Sequence, residues 1–118
     1  MRATPGNYTH KPMPEQRAQL DFERRLNEPE YRALIQGVIP RSQEDRWFAF
    51  EVDDWFSLCR SWTGHCIYRV RLEDNGDGWR IAEAWVNRDP DQYASDDDRA
   101  DALMLDRLLN LIIDSNMT

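Results

Sequence analysis

Apolar and polar residues alternate most clearly between residues 46 and 87, a stretch that holds all five tryptophans of the chain. The alternation comes in four runs, and a period of two is typical of half-buried strands. The runs are separated by Asp53-Asp54, Thr63-Gly64 and Asn75-Gly76, of which Asn-Gly is the strongest hairpin signal. We therefore predict strands at about 46–52, 55–62 and 65–72, followed by a fourth strand after Asn75-Gly76.

Two-residue turns at these three places would determine the register of the sheet, and with it the two faces. One face is then almost wholly apolar, and we expect it to be the core side. The predicted core side carries Phe48, Phe50, Val52, Trp55, Cys59, Cys66, Tyr68, Val70, Leu72, Trp79, Ile81 and Trp85. The predicted open side carries Trp47, Ala49, Glu51, Phe56, Leu58, Arg60, Trp62, His65, Ile67, Arg69, Arg71, Arg80, Ala82, Ala84 and Val86.

Helical spacing is found on both sides of this strand region. From Glu15 onward Ala18, Phe22 and Leu26 recur every fourth residue, which predicts a helix that Pro29 interrupts. A second, short helix is predicted on Tyr31, Leu34, Ile35 and Val38, ending at Gly37 to Pro40. A long C-terminal helix is predicted to begin at a Ser95 cap, with acidic residues in its first turn. Its expected apolar stripe is Ala100, Leu103, Met104, Leu108, Leu111 and Ile112, widened by Leu105, Leu109 and Ile113.

These elements predict an α+β fold, a four-stranded antiparallel meander with N-terminal and C-terminal helices packed on its apolar face. A chain of 118 residues is one domain, and it can bury roughly two-thirds of its unfolded surface. Residues 1–13 show no periodicity and are predicted to be a flexible arm, so that residues 14–118 form the single domain.

Charge and composition narrow the classes of function. The net charge of −7 argues against general nucleic-acid binding, because duplex affinity comes mainly from phosphate neutralisation. No apolar run is long enough to span a membrane, and the polar start lacks the apolar region of a secretion signal, so we predict a cytoplasmic protein. Cys59 and Cys66 are too few for a secreted disulfide framework; we expect buried thiols placed diagonally, where a disulfide would be strained. No metal site and no cofactor are predicted.

The predicted open side holds four arginines and two tryptophans in a chain that is acidic overall. Arginine binds carboxylate or phosphate through two N–H groups and stacks on aromatic rings, so this side is a candidate surface for an anion or a nucleotide. Two other interpretations stand beside it. The side is also consistent with an ordinary solvated sheet surface, and with a protein interface, where Trp and Arg are frequent anchors.

A more local site is predicted where the turn between the second and third strands lies beside the end of the fourth strand. The candidate ligand-binding residues there are Arg60, Ser61, Trp62, Thr63, His65, Asn87, Arg88, Asp89 and Tyr93, with Gln92 nearby. Convergent polar groups beside an aromatic ring are typical of a site for a small polar ligand. The alternative is structural, since Ser, Thr, Asn and Asp commonly satisfy backbone groups in turns.

Other combinations of residues give weaker evidence for a functional site. A Ser61–His65 nucleophile and base pair is conceivable, although no geometry requires it. The acidic run at residues 96–98 could bind a cation, but a helix N-terminus explains it fully. Neither a phosphate-binding loop nor a GxGxxG motif is present.

The segments RWFAF, RSWTGHCIY and AWVNRDPDQY, followed by a leucine-rich helix that DDD precedes, resemble a family of small stand-alone bacterial proteins. The resemblance covers roughly Asp45 to Ile113. That family is uncharacterised, so the resemblance implies neither an activity nor a catalytic residue.

We therefore expect a small non-enzymatic binding or regulatory protein with a polar and aromatic site at the sheet edge. Its partner would be an anionic small molecule or a protein, as for a ligand sensor, an immunity protein or an antitoxin component. The alternative is a small enzyme acting on a nucleotide or an ADP-ribose-like substrate. Arg60 and Arg88 would then hold phosphate, Trp62 would stack on the base, and Asp89 or His65 would transfer protons. A purely structural interaction domain is a third possibility.

Overall fold

An antiparallel sheet with two helices on one face forms the protein in a computed structural model that describes residues 2–117. A 3₁₀ turn at Pro5–Asn7 comes first. The strands are β1 (Arg17–Gln19), β2 (Arg24–Leu26), β3 (Trp47–Val52), β4 (Trp55–Arg60), β5 (Cys66–Asp74) and β6 (Trp79–Asn87). The helices are α1 (Glu28–Gln36) and α2 (Asp98–Met117). No helix within residues 2–117 is long and apolar enough to cross a bilayer.

The sheet has six strands rather than four. The four tryptophan-rich strands β3 to β6 pair in chain order, each antiparallel to the next. Both β1 and β2 then pair with β6, at opposite ends of its outer edge. The predicted α+β class with an antiparallel sheet is confirmed, whereas the predicted strand count is wrong.

The helix predicted from Glu15 to Leu26 is wrong, because this segment supplies β1 and β2. Arg17 lies opposite Asn87, Leu26 lies opposite Trp79, and between them the Leu20 amide donates to the Ala84 carbonyl at 2.7 Å. Without these bonds the outer edge of β6 would present a row of unpaired backbone groups. Long-range pairing therefore overrides a helical spacing that rested on only three residues.

The second predicted helix is confirmed as α1, but Pro29 starts this helix instead of interrupting one. The Asn27 side chain accepts from the Glu30 amide at 2.8 Å, and the Glu30 carboxylate accepts from the Asn27 amide at 2.9 Å. This reciprocal cap places Pro29 in the first turn, where its missing N–H has no intrahelical partner. Gly37 ends the helix with a φ of 70°.

The face that the helices cover combines residues of both predicted faces. In β3 and β4 it is the predicted open side, whereas Tyr68, Val70, Leu72 and Ile81 belong to the predicted core side and are buried as expected. Five residues, 61–65, connect β4 to β5 instead of two, and the pairing also shifts by one residue between Leu58 and Cys59. A one-residue change of register moves every later side chain to the other face. The residues of β3 to β6 that join the helices in the main core are Ala49, Phe56, Leu58, Ile67, Tyr68, Val70, Leu72, Ile81, Ala84 and Val86.

The predicted core side of β3 and β4 is covered by residues 2–13 instead of by the helices. Phe48, Phe50, Cys59 and Cys66 form a second buried cluster together with Ala3, which is 1% exposed. The two cysteines lie directly opposite one another, not diagonally. The sheet is thus buried on both faces, which explains why β3 and β4 are apolar almost throughout. The flexibility predicted for residues 1–13 concerns motion and stays a prediction.

Trp85 was also assigned to the core, and this assignment is wrong. The loop between β5 and β6 covers residues 75–78, and a second irregularity between Arg71 and Leu72 shifts the pairing. Trp85 therefore lies opposite Arg69, half-buried, with the guanidinium carbon of Arg17 5.5 Å from its ring centroid.

The long C-terminal helix is confirmed as α2, but its cap and its buried side differ from the prediction. Asp97 rather than Ser95 caps it, accepting from the Ala100 amide at 3.1 Å. Leu103, Met104 and Leu111 are exposed. The residues that α2 buries are Asp101, Leu105, Leu108, Leu109, Ile112 and Ile113.

Candidate functional site

A pocket of about 510 Å³ lies where the connection between β4 and β5 faces the segment that follows β6. We call it the Trp62 pocket. Its lining residues are Arg46, Arg60, Trp62, Thr63, Gln92, Tyr93, Ala94 and Ser95. Four of these belong to the candidate site predicted from the sequence, namely Arg60, Trp62, Thr63 and Tyr93.

Arg60 lies between two aromatic rings. Its guanidinium carbon is 5.0 Å from the centroid of Trp47 and 5.9 Å from that of Tyr93. Within residues 2–117 it has no carboxylate at ion-pair distance, and its buried Nε donates to no acceptor. A partly buried charge without an acceptor is costly, so this guanidinium has an unused capacity to bind an anion.

Trp62 is 75% exposed, although its indole is held in place. The indole Nε1 donates to the Gln43 carbonyl at 2.9 Å, and the neighbouring Ser61 hydroxyl donates to the Asp45 carbonyl at 2.6 Å. These two bonds tie residues 61–64 to the segment before β3. A large exposed ring fixed in this way offers a stacking surface at little cost in conformational entropy.

A second depression, of about 700 Å³, lies on the other side of Trp62 and includes Ser61, Tyr8 and Arg41. Among the described residues, no Asp or Glu lines either depression, whereas Arg41, Arg46 and Arg60 do. In a chain with a net charge of −7, the surroundings of Trp62 are therefore locally positive.

Asp101, on α2, supports the pocket from below. Its Oδ1 accepts from the hydroxyls of Tyr68 at 2.6 Å and Tyr93 at 2.5 Å. Its Oδ2 accepts from the Ser95 hydroxyl at 3.0 Å and lies 2.8 Å from Nη1 of Arg88. Burial alone would raise the pKa of the Asp101 carboxyl, but the bonds from Tyr68, Tyr93, Arg88 and Ser95 outweigh it and lower the pKa. Burial and the bond to Asp101 raise the pKa of Tyr68.

Arg88 connects the end of β6 to the start of α2. It donates to the Ser95 carbonyl at 3.0 Å and to the Asp98 carboxylate at 2.6 Å, in addition to its ion pair with Asp101. It does not line the Trp62 pocket. The anion-binding role predicted for Arg88 stays a prediction, but any anion would compete there with two carboxylates.

The neighbours of Arg88 are also engaged in the loop. Asn87 is fully buried and donates to the Cys66 carbonyl and to the Gln92 side chain, both at 2.9 Å. Asp89 accepts from the Gln92 and Tyr93 amides through its carbonyl, at 2.9 Å each. These bonds shape the wall of the pocket from behind.

The remaining predicted site residue, His65, lies behind the loop. Its amide donates to the Thr63 hydroxyl at 3.2 Å, and its Nδ1 is buried without a partner among the described residues. Nothing brings the Ser61 hydroxyl and the His65 ring together as a nucleophile and base, since Ser61 donates to a backbone carbonyl.

The local site predicted from the sequence did not include Arg46, Ser95 or Asp101, and Trp47 was assigned only to the wider open side of the sheet. A signal for Asp101 did exist, because it shares a helix face with Leu105, Leu108 and Ile112. A lone acidic residue on the buried face of a helix must find donors elsewhere in the fold. Arg46 and Trp47 join the site because residues 61–64 fold back against the start of β3, where the Ser61 amide donates to the Arg46 carbonyl at 2.9 Å.

The lining of the pocket is suited to binding. It offers guanidinium, indole, phenol, amide and hydroxyl groups, but no carboxylate or imidazole among the described residues. Residues 2–117 contain no cluster of three or more His, Cys, Asp or Glu side chains able to hold a metal ion.

Comparison with known proteins adds no family. No family model matches this chain, and neither curated proteins nor solved structures show significant similarity to it. The resemblance to a family of small bacterial proteins therefore stays a prediction.

Proposed function

We propose that this is a binding protein that takes a small anionic ligand with a planar ring into the Trp62 pocket. The observation that carries the proposal is Arg60, stacked between Trp47 and Tyr93 and left without a carboxylate partner among the described residues. Arg88, at the same end of the sheet, is by contrast neutralised by Asp98 and Asp101.

The chemistry of the walls supports a ligand with two different parts. Arg60 and Arg46 suit a phosphate or carboxylate, which arginine binds through paired N–H groups. The exposed Trp62 ring suits a flat heterocycle or arene, and the Thr63, Tyr93 and Ser95 hydroxyls supply polar contacts at the edge. A volume of about 510 Å³ falls in the usual range for small-molecule sites.

The support behind the pocket favours a preformed site. Asp101 holds Tyr93 and Ser95, and Arg88 holds the backbone of Ser95, so one wall is attached to α2. The other wall is attached to residues 42–46 through Ser61 and Trp62. Because the walls are already ordered, binding should cost little conformational entropy, which favours affinity.

Binding can be tested with ligands that separate the two parts. Nucleoside monophosphates and aromatic carboxylates would be compared with inorganic phosphate alone and with uncharged nucleosides alone, by thermal shift and then calorimetry. A ligand at 100 times its dissociation constant should stabilise the fold by about 2.7 kcal/mol. We expect the complete ligands to stabilise the protein more than either part does.

A matched pair of variants tests whether the ligand binds in the Trp62 pocket. Arg60→Gln should weaken binding about 10- to 100-fold, the range expected for loss of a charge-assisted hydrogen bond. Arg69→Gln is the control, because Arg69 is stacked on Trp55 at 4.4 Å, outside the Trp62 pocket. Equal affinities of the two variants would overturn the proposal. Binding only of acidic peptides would move the function to a protein partner.

The alternative, an enzyme acting on a nucleotide or an ADP-ribose-like substrate, would use the same pocket. It differs in outcome, since the bound compound would be converted. Chromatography of each ligand after prolonged incubation with the protein separates the two functions.

A further inference from the structure

The two cysteines lie face to face in the sheet. Cys59 on β4 is paired directly with Cys66 on β5. Opposite residues of an antiparallel pair have Cα atoms about 4.5–5.5 Å apart. A disulfide needs about 4.4–6.8 Å, so the backbone already satisfies the distance for a bond between these two sulfurs.

The cysteines also line a pocket, although they are only 1% and 2% exposed as whole residues. This pocket, of about 320 Å³, lies between the sheet and residues 5–13, and we call it the arm pocket. Lys11 and Arg69 line it as well, and no acidic residue among those described does. It places a space of small-molecule size beside the two cysteines and two positive charges on the walls of that space.

The environment makes the two thiols unequal. The neighbouring Cys59 thiol lowers the pKa of Cys66, and the charge of Arg69 and a bond from Ser57 add to this against the effect of burial. The pKa of Cys59 is raised, first by Cys66 and then by burial. A thiolate is the reactive form of cysteine, and this inequality favours Cys66 over Cys59 as the nucleophile of the pair.

We propose that Cys59 and Cys66 are a redox-active dithiol, a modification site that a small hydroperoxide converts to a cross-strand disulfide. This inference is independent of ligand binding in the Trp62 pocket. It differs from the inert buried cysteine, which has neither a facing thiol nor a pocket beside it.

The reaction balances with one hydroperoxide and two thiols. The Cys66 thiolate attacks one peroxide oxygen, the O–O bond breaks, and Cys66 becomes a sulfenic acid. The hydroxide or alkoxide that leaves takes up the proton lost from Cys66. The Cys59 sulfur then attacks the Cys66 sulfur, the S–O bond breaks, and water leaves with the Cys59 proton. The two thiols lose two electrons in all, and the peroxide gains them.

The test is peptide mapping without reductant after treatment with limiting hydrogen peroxide. Cleavage after Arg46, Arg60 and Arg69 puts the two cysteines in different peptides, Trp47–Arg60 and Ser61–Arg69. We expect these two to appear as one linked peptide, lighter by two hydrogen atoms than their sum, with no covalent cross-link between chains on a non-reducing gel. Sulfinic or sulfonic acid without a linked peptide would overturn the proposal, as would disulfides only between chains.

Variants of the two cysteines and of Arg69 test which thiol reacts first with the peroxide. In Cys59→Ser, peroxide should leave a sulfenic acid on Cys66 that dimedone traps, whereas Cys66→Ser should react several-fold more slowly. Arg69→Gln should slow the first step several-fold, and Arg17→Gln, which is stacked on Trp85 outside the arm pocket, should not. Equal rates for these two arginine variants would remove the role of Arg69. If a serine variant fails to fold, the linked peptide from the unaltered chain still decides the proposal.

Discussion

The Tyr93 hydroxyl donates a hydrogen bond of 2.5 Å to Oδ1 of Asp101, which attaches a wall of the Trp62 pocket to the buried side of α2. The same oxygen accepts from Tyr68 on β5 at 2.6 Å. Because Asp101 is only 2% exposed, water competes little for these bonds. A single carboxylate thus connects the sheet, α2 and the pocket.

Replacing Asp101 with alanine should lower the free energy of unfolding by about 3–5 kcal/mol, the range for breaking a buried ion pair. The change leaves Arg88 without its buried partner and removes an acceptor from two tyrosine hydroxyls. Urea denaturation measures the loss. Asp114→Ala, at an exposed position of the same helix, is the control and should stay within about 0.5 kcal/mol of the unaltered chain. Similar losses in both variants would contradict a special role for Asp101.

Stability should fall in acid, with Asp101 as one cause. The pKa of its carboxyl is lowered in the folded protein, so the unfolded chain binds its proton first as the pH drops. The contribution is fully present above the unfolded value of about 3.9 and is lost as the pH falls through the lower folded value. Unfolding free energies measured between neutral and strongly acidic pH should show a shallower acid decline in Asp101→Asn. Parallel declines in both proteins would refute this assignment.

Trp62→Ala should separate stability from binding. The ring is 75% exposed, so its loss should change the unfolding free energy by no more than about 0.5 kcal/mol. If a planar ligand stacks on it, affinity should fall by about 1–3 kcal/mol, as for base stacking on aromatic residues. Calorimetry gives the affinity and denaturation gives the stability. A variant that binds as well as the unaltered chain would place the ligand elsewhere.

Gly37→Ala should destabilise the protein by more than about 1 kcal/mol, because the site has a φ of 70° and almost no space. A Cβ built there would lie 2.1 Å from the carbonyl oxygen of Ala49 on β3. Gly6→Ala is the control, since nothing lies within 4 Å of its added Cβ. Thermal denaturation of the two variants should therefore differ clearly, and matching midpoints would contradict this packing of α1 against the sheet.

Local sequence patterns were sufficient to predict the elements that are stabilised by contacts between residues close in sequence. The Asp53-Asp54 turn pairs Val52 with Trp55 as expected, because both aspartates adopt positive φ and only a two-residue loop fits between those strands. The helices α1 and α2 could likewise be predicted, because the spacing of their apolar residues follows the helical repeat. The gathering of Arg60, Trp62, Thr63 and Tyr93 at one edge also followed from strand order alone.

The tertiary structure decided which face of the sheet meets the helices, and therefore which residues form the site. The register shift at Cys59 places the predicted open side of β4 and the predicted core side of β5 on the same face, and no local pattern distinguishes the two sides when both faces of β4 are apolar. β1 and β2, which begin at Arg17 and Arg24, form because they hydrogen-bond to the otherwise unpaired edge of β6. Their partner residues on β6 lie about 60 residues further along the chain. Asp101 and Arg46 also join the site through contacts that are distant in sequence. Only the packed chain brings their charges and donors within reach.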